Sequence, residues 1–282
     1  MILKRYIKQQ GFSLVELAIV LVILGFVLGA LLLPLRVQRE QAAQLQTINT
    51  LENAKQSLLG YAQQQGRLPC PATAINFQGN TDAGSSGQEN PLGGTHNITH
   101  PIPAVPNCVV QSGFLPAATL GIQPTDAQGF ALDAWNNRIR YAVAADNSSA
   151  RIPAGTIAAC GGDTAPDFTT TGNLAVVGLV CLAPELRVCN SATGITATAC
   201  SVAAPEGNYS INNAVAVIFS TGATGVQDSV GRPDELANLD GNTVFVSHDI
   251  SLAAAPNEFD HLVTWISPYV LYNAMIQAGQ LH

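Results

Sequence analysis

The chain has 282 residues, of which 11% are charged, with 12 basic side chains against 19 acidic ones and a formal net charge of −7. An acidic chain with scattered arginines makes a poor phosphate binder, which argues against nucleic acid as a partner. No phosphate-binding Gly-x-x-x-x-Gly-Lys loop, Gly-x-Ser-x-Gly elbow, His-Glu-x-x-His helix or Gly-rich dinucleotide fingerprint is present, so the expectation is a protein that is not an enzyme.

In chain order, the first feature is a short basic leader, Lys4, Arg5 and Lys8, that ends at Gly11. Phe12 opens an apolar run that continues through Leu33, and Glu16 is the one charge in it. A carboxylate in a membrane-spanning helix costs roughly 2.5–3.5 kcal/mol on insertion scales, so it needs a partner. From Phe12 to Leu35 the run is long enough to cross a hydrocarbon core at about 1.5 Å per residue. An ordinary secretory signal would use the three basic residues as its n-region and residues 17–33 as its h-region. The run is long for that, and the small-residue exit at Leu28-Gly29-Ala30 has a bulky residue where a small one belongs.

The segment Gly11-Phe12-Ser13-Leu14-Val15-Glu16-Leu17 resembles the class III signal of type IV pilins and type II secretion pseudopilins. In that family a membrane peptidase cuts on the cytoplasmic side after the glycine and methylates the new amino terminus. The resemblance implies a cut between Gly11 and Phe12, with Glu16 neutralising the α-amino group of a neighbouring subunit's Phe12. It also implies the partners: other pilin or pseudopilin subunits, the prepilin peptidase and an inner-membrane assembly platform. The implied location is the inner membrane, crossed once with the head in the periplasm, and then a pilus or pseudopilus. Loss of residues 1–11 removes three basic residues, leaving 9 against 19 and a net charge of −10.

Beyond Pro34 the helix is expected to continue with an apolar stripe of Leu45, Ile48, Leu51, Leu58 and Leu59, with Ala42, Ala54 and Ala62, at three- and four-residue intervals. Gly66 and Arg67-Leu68-Pro69 should end it. A helix from Phe12 to Gly66 measures about 80 Å, too long to lie within a compact domain of this size. The expected organisation is a leader (1–11), a transmembrane or filament-core helix (12–35), its amphipathic continuation (36–66) and a β-rich extracytoplasmic head (67–282). The expected fold class is α+β and pilin-like: a long N-terminal helix packed on an antiparallel sheet, with long disulfide-linked loops.

Six cysteines, Cys70, Cys108, Cys160, Cys181, Cys189 and Cys200, all follow the apolar run and form no Cys-x-x-Cys pair. An even count in an exported domain reads as disulfides, with the pairing open. The expectation is that Cys70 joins Cys108 across the Gly-, Pro- and Asn-rich segment between them. His96 and His100 lie in that segment, where Pro101 and Pro103 oppose a helix that would bring them together.

The segment Asp133-Ala134-Trp135-Asn136-Asn137 is partly similar to an Asp-Pro-Trp-Gly-Asn segment of major pseudopilins. On its own residues it reads as turn chemistry at Asn136-Asn137, with Trp135 as a core plug, before a strand over Arg138–Ala144. Further strands are expected at Leu174–Leu182, Ala214–Ser220 and Thr243–Ser247. Between the last two lies a turn-rich acidic interval. There Asp228, Asp234 and Asp240, with Asn238 and Asn242, offer the hard oxygen ligands calcium prefers. The spacing matches no EF-hand, and solvated turn residues are the plainer reading. Ser267 and Pro268 should cap and open a short final helix that runs to about Gln277 and stops at Gly279.

The leading expectation is thus a structural or assembly subunit, a minor pilin or pseudopilin with a large head. The alternative is a filament-borne adhesin or binding module that uses the loops after Cys70 or around Cys181–Cys200.

Overall fold

The computed structural model describes residues 13–73, 87–90, 108, 110–144, 168–169, 174, 182, 184–201, 207–225, 231–251 and 253–281, with only the backbone of 28–36. The chain divides into two compact units, residues 1–45 and 46–282. Helix α1, Leu14–Gln65, contributes to both.

From Leu14 to Val27 α1 is apolar around its circumference apart from Glu16, and its side chains are exposed: Leu14 is 85% exposed and Phe26 78%. The helix assignment runs unbroken through residue 34. The expected membrane span is not reproduced, because among the described residues no helix is long and apolar enough to cross a membrane. Within the apolar run the side chains are described only as far as Val27, and residues 14–27 reach about 20 Å against a core about 30 Å thick.

The second unit is built on a four-stranded sheet. Its strands are β1 (Ser112–Phe114), β2 (Arg140–Val143), β5 (Ala216–Ser220) and β7 (Leu262–Ile266), antiparallel throughout in the order β1-β2-β5-β7. Every residue of β5 is buried, as expected for a central strand of the sequence Ala-Val-Ile-Phe-Ser. A second sheet, in the order β4-β3-β6, is formed by β3 (Leu186–Cys189), β4 (Tyr209–Ala214) and β6 (Val244–Val246). The head is therefore not purely antiparallel: β3 pairs antiparallel with β4 but parallel with β6. β4 runs almost directly into β5, and the chain changes sheet at Val215, whose N–H and C=O bond Ile266 O and Ala144 N. Phe219 of the first sheet packs against Phe245 of the second, with ring centroids 5.8 Å apart.

The C-terminal part of α1 supplies Leu51, Ala54, Leu58, Leu59 and Ala62 to the core that holds Tyr141, Ile218 and Ile266. The stripe is shorter than the sequence suggests: Leu45 and Ile48 are 63% and 48% exposed. Buried Thr47 begins it instead, and its hydroxyl accepts a bond from the Ala134 amide at 3.2 Å. The helix stops at Gln65, and Gly66 takes φ +69°, the left-handed C′ conformation that glycine adopts without a Cβ penalty.

The exit from α1 is held by a buried ion pair. The Arg67 guanidinium donates to both oxygens of Glu89 at 2.8 Å, and the two side chains are 4% and 3% exposed. Burial opposes the charge on Arg67, but the bonds and charge of Glu89 outweigh it and raise the guanidinium pKa. Glu89 also accepts from the Tyr61 hydroxyl at 3.0 Å and the Cys70 amide at 3.2 Å. Burial first, then the Glu89 charge, push the Tyr61 phenol pKa upward.

Asp133 organises the turn before β2. Its Oδ1 accepts from the Trp135 and Asn137 amides at 2.9 and 2.8 Å, and Asn136 takes φ +67°. Trp135 is half-buried on this turn and is not the core plug the sequence suggests. The remaining helices are α2 (Ala117–Leu120), α3 (Pro233–Ala237) and α4 (Pro268–Gln277). Ser267 caps α4 by accepting from the Val270 amide, with Pro268 in its first turn. The strand expected over Leu174–Leu182 lies almost wholly outside the described residues.

Two outcomes follow from the ion pair and the crosslinks. Glu89→Gln leaves the Arg67 guanidinium buried without a counter-charge and should lower stability by about 3–5 kcal/mol. Denaturant unfolding of the full chain in detergent checks this, and a loss below about 1 kcal/mol would show that the pair is dispensable. Peptide mapping without reduction should recover Cys70 linked to Cys108 and Cys189 linked to Cys200.

Candidate functional site

The residues that begin α1 form a reciprocal hydrogen-bonded box. Ser13 precedes the first helical residue, and its Oγ accepts from the Glu16 amide at 3.2 Å. The Glu16 carboxylate reaches back and accepts from the Ser13 amide at 3.0 Å. This is the Ser-x-x-Glu capping box, which satisfies two of the four N–H groups a helix start leaves unpaired. The positive end of the helix dipole lies at the same place and favours a carboxylate there. Glu16 therefore has a local partner, one that sequence reasoning missed although Ser13-Leu14-Val15-Glu16 spells it out.

The box leaves capacity unused. A carboxylate has about four acceptor sites, and the Ser13 amide fills one of them. Around it the helix presents an apolar groove lined by Leu14, Val15, Ala18, Ile19, Val22 and Ile23. Helices apolar on all sides are buried against lipid or other protein in use. One anionic group with open acceptor sites, at the start of such a helix, is suited to receive a cation in a low-dielectric setting. Gly11 and Phe12, the expected processing residues, lie outside the described residues.

The other residues singled out by sequence are dispersed. Cys70 bonds Cys108 and Cys189 bonds Cys200, and Cys160 and Cys181 lie outside the described residues. His96, His100 and Asp228 also lie outside them. Asp240 bonds the Asn242 amide at 3.0 Å in a tight turn, and Asp234 bonds His248 at 3.0 Å. Asn238 completes the edge of β6: its Oδ1 accepts from the Val246 amide and its Nδ2 donates to the Val246 carbonyl.

Among the described residues, the carboxylates and histidine that do converge are Glu235, Asp260 and His261, with ligand atoms within 4.8 Å of one another. All three are buried. The bonds to Val246 fix the Asn238 amide, so its Nδ2 donates to Nδ1 of His261 at 3.1 Å. That makes Nδ1 an acceptor and puts the proton of the neutral ring on Nε2, so neither nitrogen has a free lone pair for a metal. Burial, and secondarily the Arg140 charge, lower the His261 pKa to about 3, which keeps the ring neutral. The carboxylates are similarly engaged. Asp260 accepts from the Thr224 amide and hydroxyl at 2.8 and 3.0 Å, and Glu235 accepts from the Asp260 amide at 3.1 Å. Burial pushes the Asp260 pKa upward against these bonds. Gly222 must be glycine here, since a Cβ on it would meet the Asp260 carboxylate at 2.4 Å at a φ of +66°. The cluster fits a structural knot better than a metal centre.

No curated protein and no solved structure matches the chain. A family model described as the prokaryotic N-terminal methylation motif matches residues 7–32, which hold the Ser13–Glu16 box and the start of the apolar helix. The chain thus carries, at its amino-terminal end, the signal of type IV pilins and pseudopilins.

Proposed function

We propose that this protein is an assembly subunit, a minor pilin or pseudopilin, of a type IV pilus or type II secretion filament. The observation that carries the reading is Glu16, held by the Ser13 amide with open acceptor sites at the head of an exposed apolar helix that bears the methylation motif. The prepilin peptidase cuts between Gly11 and Phe12, and residues 12–35 anchor the chain in the inner membrane with the head in the periplasm. On assembly the helix leaves lipid for the filament core. There Glu16 receives the amino group of a neighbouring subunit's Phe12, and the apolar face packs on other subunits.

Chemistry separates the two roles of Glu16. Glu16→Gln preserves the capping box, which accepts Glu or Gln at this position, but removes the charge. Ser13→Ala removes the hydroxyl acceptor, at about 1 kcal/mol of helix stability, and keeps the charge. Both variants should be cleaved and found in the membrane fraction. In sheared filaments Glu16→Gln should fall at least about tenfold, because an amine buried without its counter-charge costs about 3–5 kcal/mol. Ser13→Ala should stay close to the parent. Normal incorporation of Glu16→Gln would show that Glu16 is not an assembly charge, and an equal loss in Ser13→Ala would assign the effect to capping.

A further inference from the structure

The first sheet ends at β7, and the ladder beside it sets which backbone groups of that strand face outward. The Val215 carbonyl accepts from the Ala144 amide, so in the alternation of an antiparallel ladder Val217 and Phe219 exchange bonds with β2. Ala216, Ile218 and Ser220 then bond β7, where their partners are Ile266, Thr264 and Leu262. The N–H and C=O groups of Val263 and Trp265 therefore point away from the sheet. Among the described residues nothing bonds them.

Other edges of the two sheets are closed. At β1, Phe114 and Ala72 exchange backbone bonds at 2.8 Å. At β6, the Asn238 side chain meets both backbone groups of Val246. β7 has neither device. Its sequence, Leu-Val-Thr-Trp-Ile, holds none of the charges or prolines that blunt an edge. Its side chains from Leu262 to Trp265 are half-buried. In a chain of net charge −7, no charged side chain occurs from Leu262 through Leu281, and α4 exposes Tyr269, Val270 and Ile276.

We propose that the outer edge of β7 takes an extended, uncharged segment of a different filament subunit as a further strand of the sheet. The inference rests on the subunit reading above. An extended strand offers donors and acceptors at the spacing that Val263 and Trp265 present. Charge selects among strands, because a charged segment would lose hydration here and meet no counter-charge. Symmetry decides against a second copy of β7. Two copies joined edge to edge antiparallel are related by a two-fold axis through the sheet, which reverses a helix lying along its face. Leu51, Leu58 and Ala62 of α1 pack in the core that holds Tyr141 and Ile218 of this sheet. The two α1 helices would run in opposite directions, and one membrane cannot anchor both.

The test is photocrosslinking of the full chain in cells that assemble the filament, with p-benzoylphenylalanine in place of Trp265. An adduct should form with another protein that carries the methylation motif, joined through an uncharged extended segment. The same probe in place of exposed Thr198 should not give it. Val263→Pro removes an outward N–H and leaves the bonds to β5, so adduct yield should fall about fivefold, the factor one lost hydrogen bond carries. Val263→Thr, which keeps the N–H, should keep the yield. If Val263→Pro loses cooperative melting, Thr264→Lys takes its place, since it blunts the edge with a charge and keeps every backbone bond. No adduct from a chain that is cleaved and in the membrane would overturn this inference and leave the subunit reading standing. An adduct with a second copy, or a yield untouched by Val263→Pro, would also overturn it. An uncleaved chain would overturn the subunit reading, and this inference with it.

Discussion

A carboxylate in an otherwise apolar helix has to bring a partner or find one, and Glu16 does the first in a way that permits the second. The Ser13 amide lies 3.0 Å from its carboxylate, and the helix dipole adds to that attraction. One backbone donor does not satisfy a carboxylate in lipid or in a protein core. The remaining acceptor capacity is a standing demand for a positive group, placed where exposed Leu14 and Val15 start the apolar surface. On the function proposed above, that charge and apolar face are met by a partner helix with a cation near its end. Cleavage after Gly11 would supply that cation, an ammonium on Phe12, one residue before the amide Glu16 already holds.

The head answers a related problem with a finished structure. Arg67 and Glu89 are as buried as core leucines, yet each is well partnered: the guanidinium by two bonds to Glu89 and one to the Leu68 carbonyl, and the carboxylate by Arg67, Tyr61 and the Cys70 amide. Removing one partner from such a knot is far more costly than never having built it. Its position explains its use. Gly66 turns the chain out of α1, Arg67 is the next residue, and Cys70 opens the disulfide-closed segment. The pair and the crosslink together fix the path of the chain as it leaves the helix. Glu235, Asp260 and His261 form a second buried polar cluster, with a neutral ring in place of a cation.

What could be read from the residues follows the range of the interactions. Local chemistry was legible: the end of α1 at Gly66, Ser267 and Pro268 opening α4, the Asn136 turn, and the β-branched runs that became β5 and β6. Long-range pairing was not. The parallel contact between β3 and β6 joins segments more than fifty residues apart, and no periodicity in either strand announces it. Leu45 and Ile48 fit the helical spacing but are exposed, because the core reaches only as far as Thr47. The acidic interval offers calcium-type oxygen ligands by residue type alone, with solvated turns the plainer reading. In the fold, Asn238 caps a sheet edge and Asp234 pairs with His248, roles that depend on neighbours distant in sequence. Ser13-Leu14-Val15-Glu16 spells a capping box, but the same four residues lie inside the methylation motif, so one short segment carries both patterns.

Assembly through Glu16 requires the chain to be processed at the motif that residues 7–32 carry. Intact-mass and N-terminal peptide analysis of the protein recovered from membranes of cells with an active prepilin peptidase is the most direct measurement. The predicted result is a mature chain that begins at Phe12 with a methylated amino group and lacks Lys4, Arg5 and Lys8. A retained leader, or an amino terminus near Leu31, would contradict it.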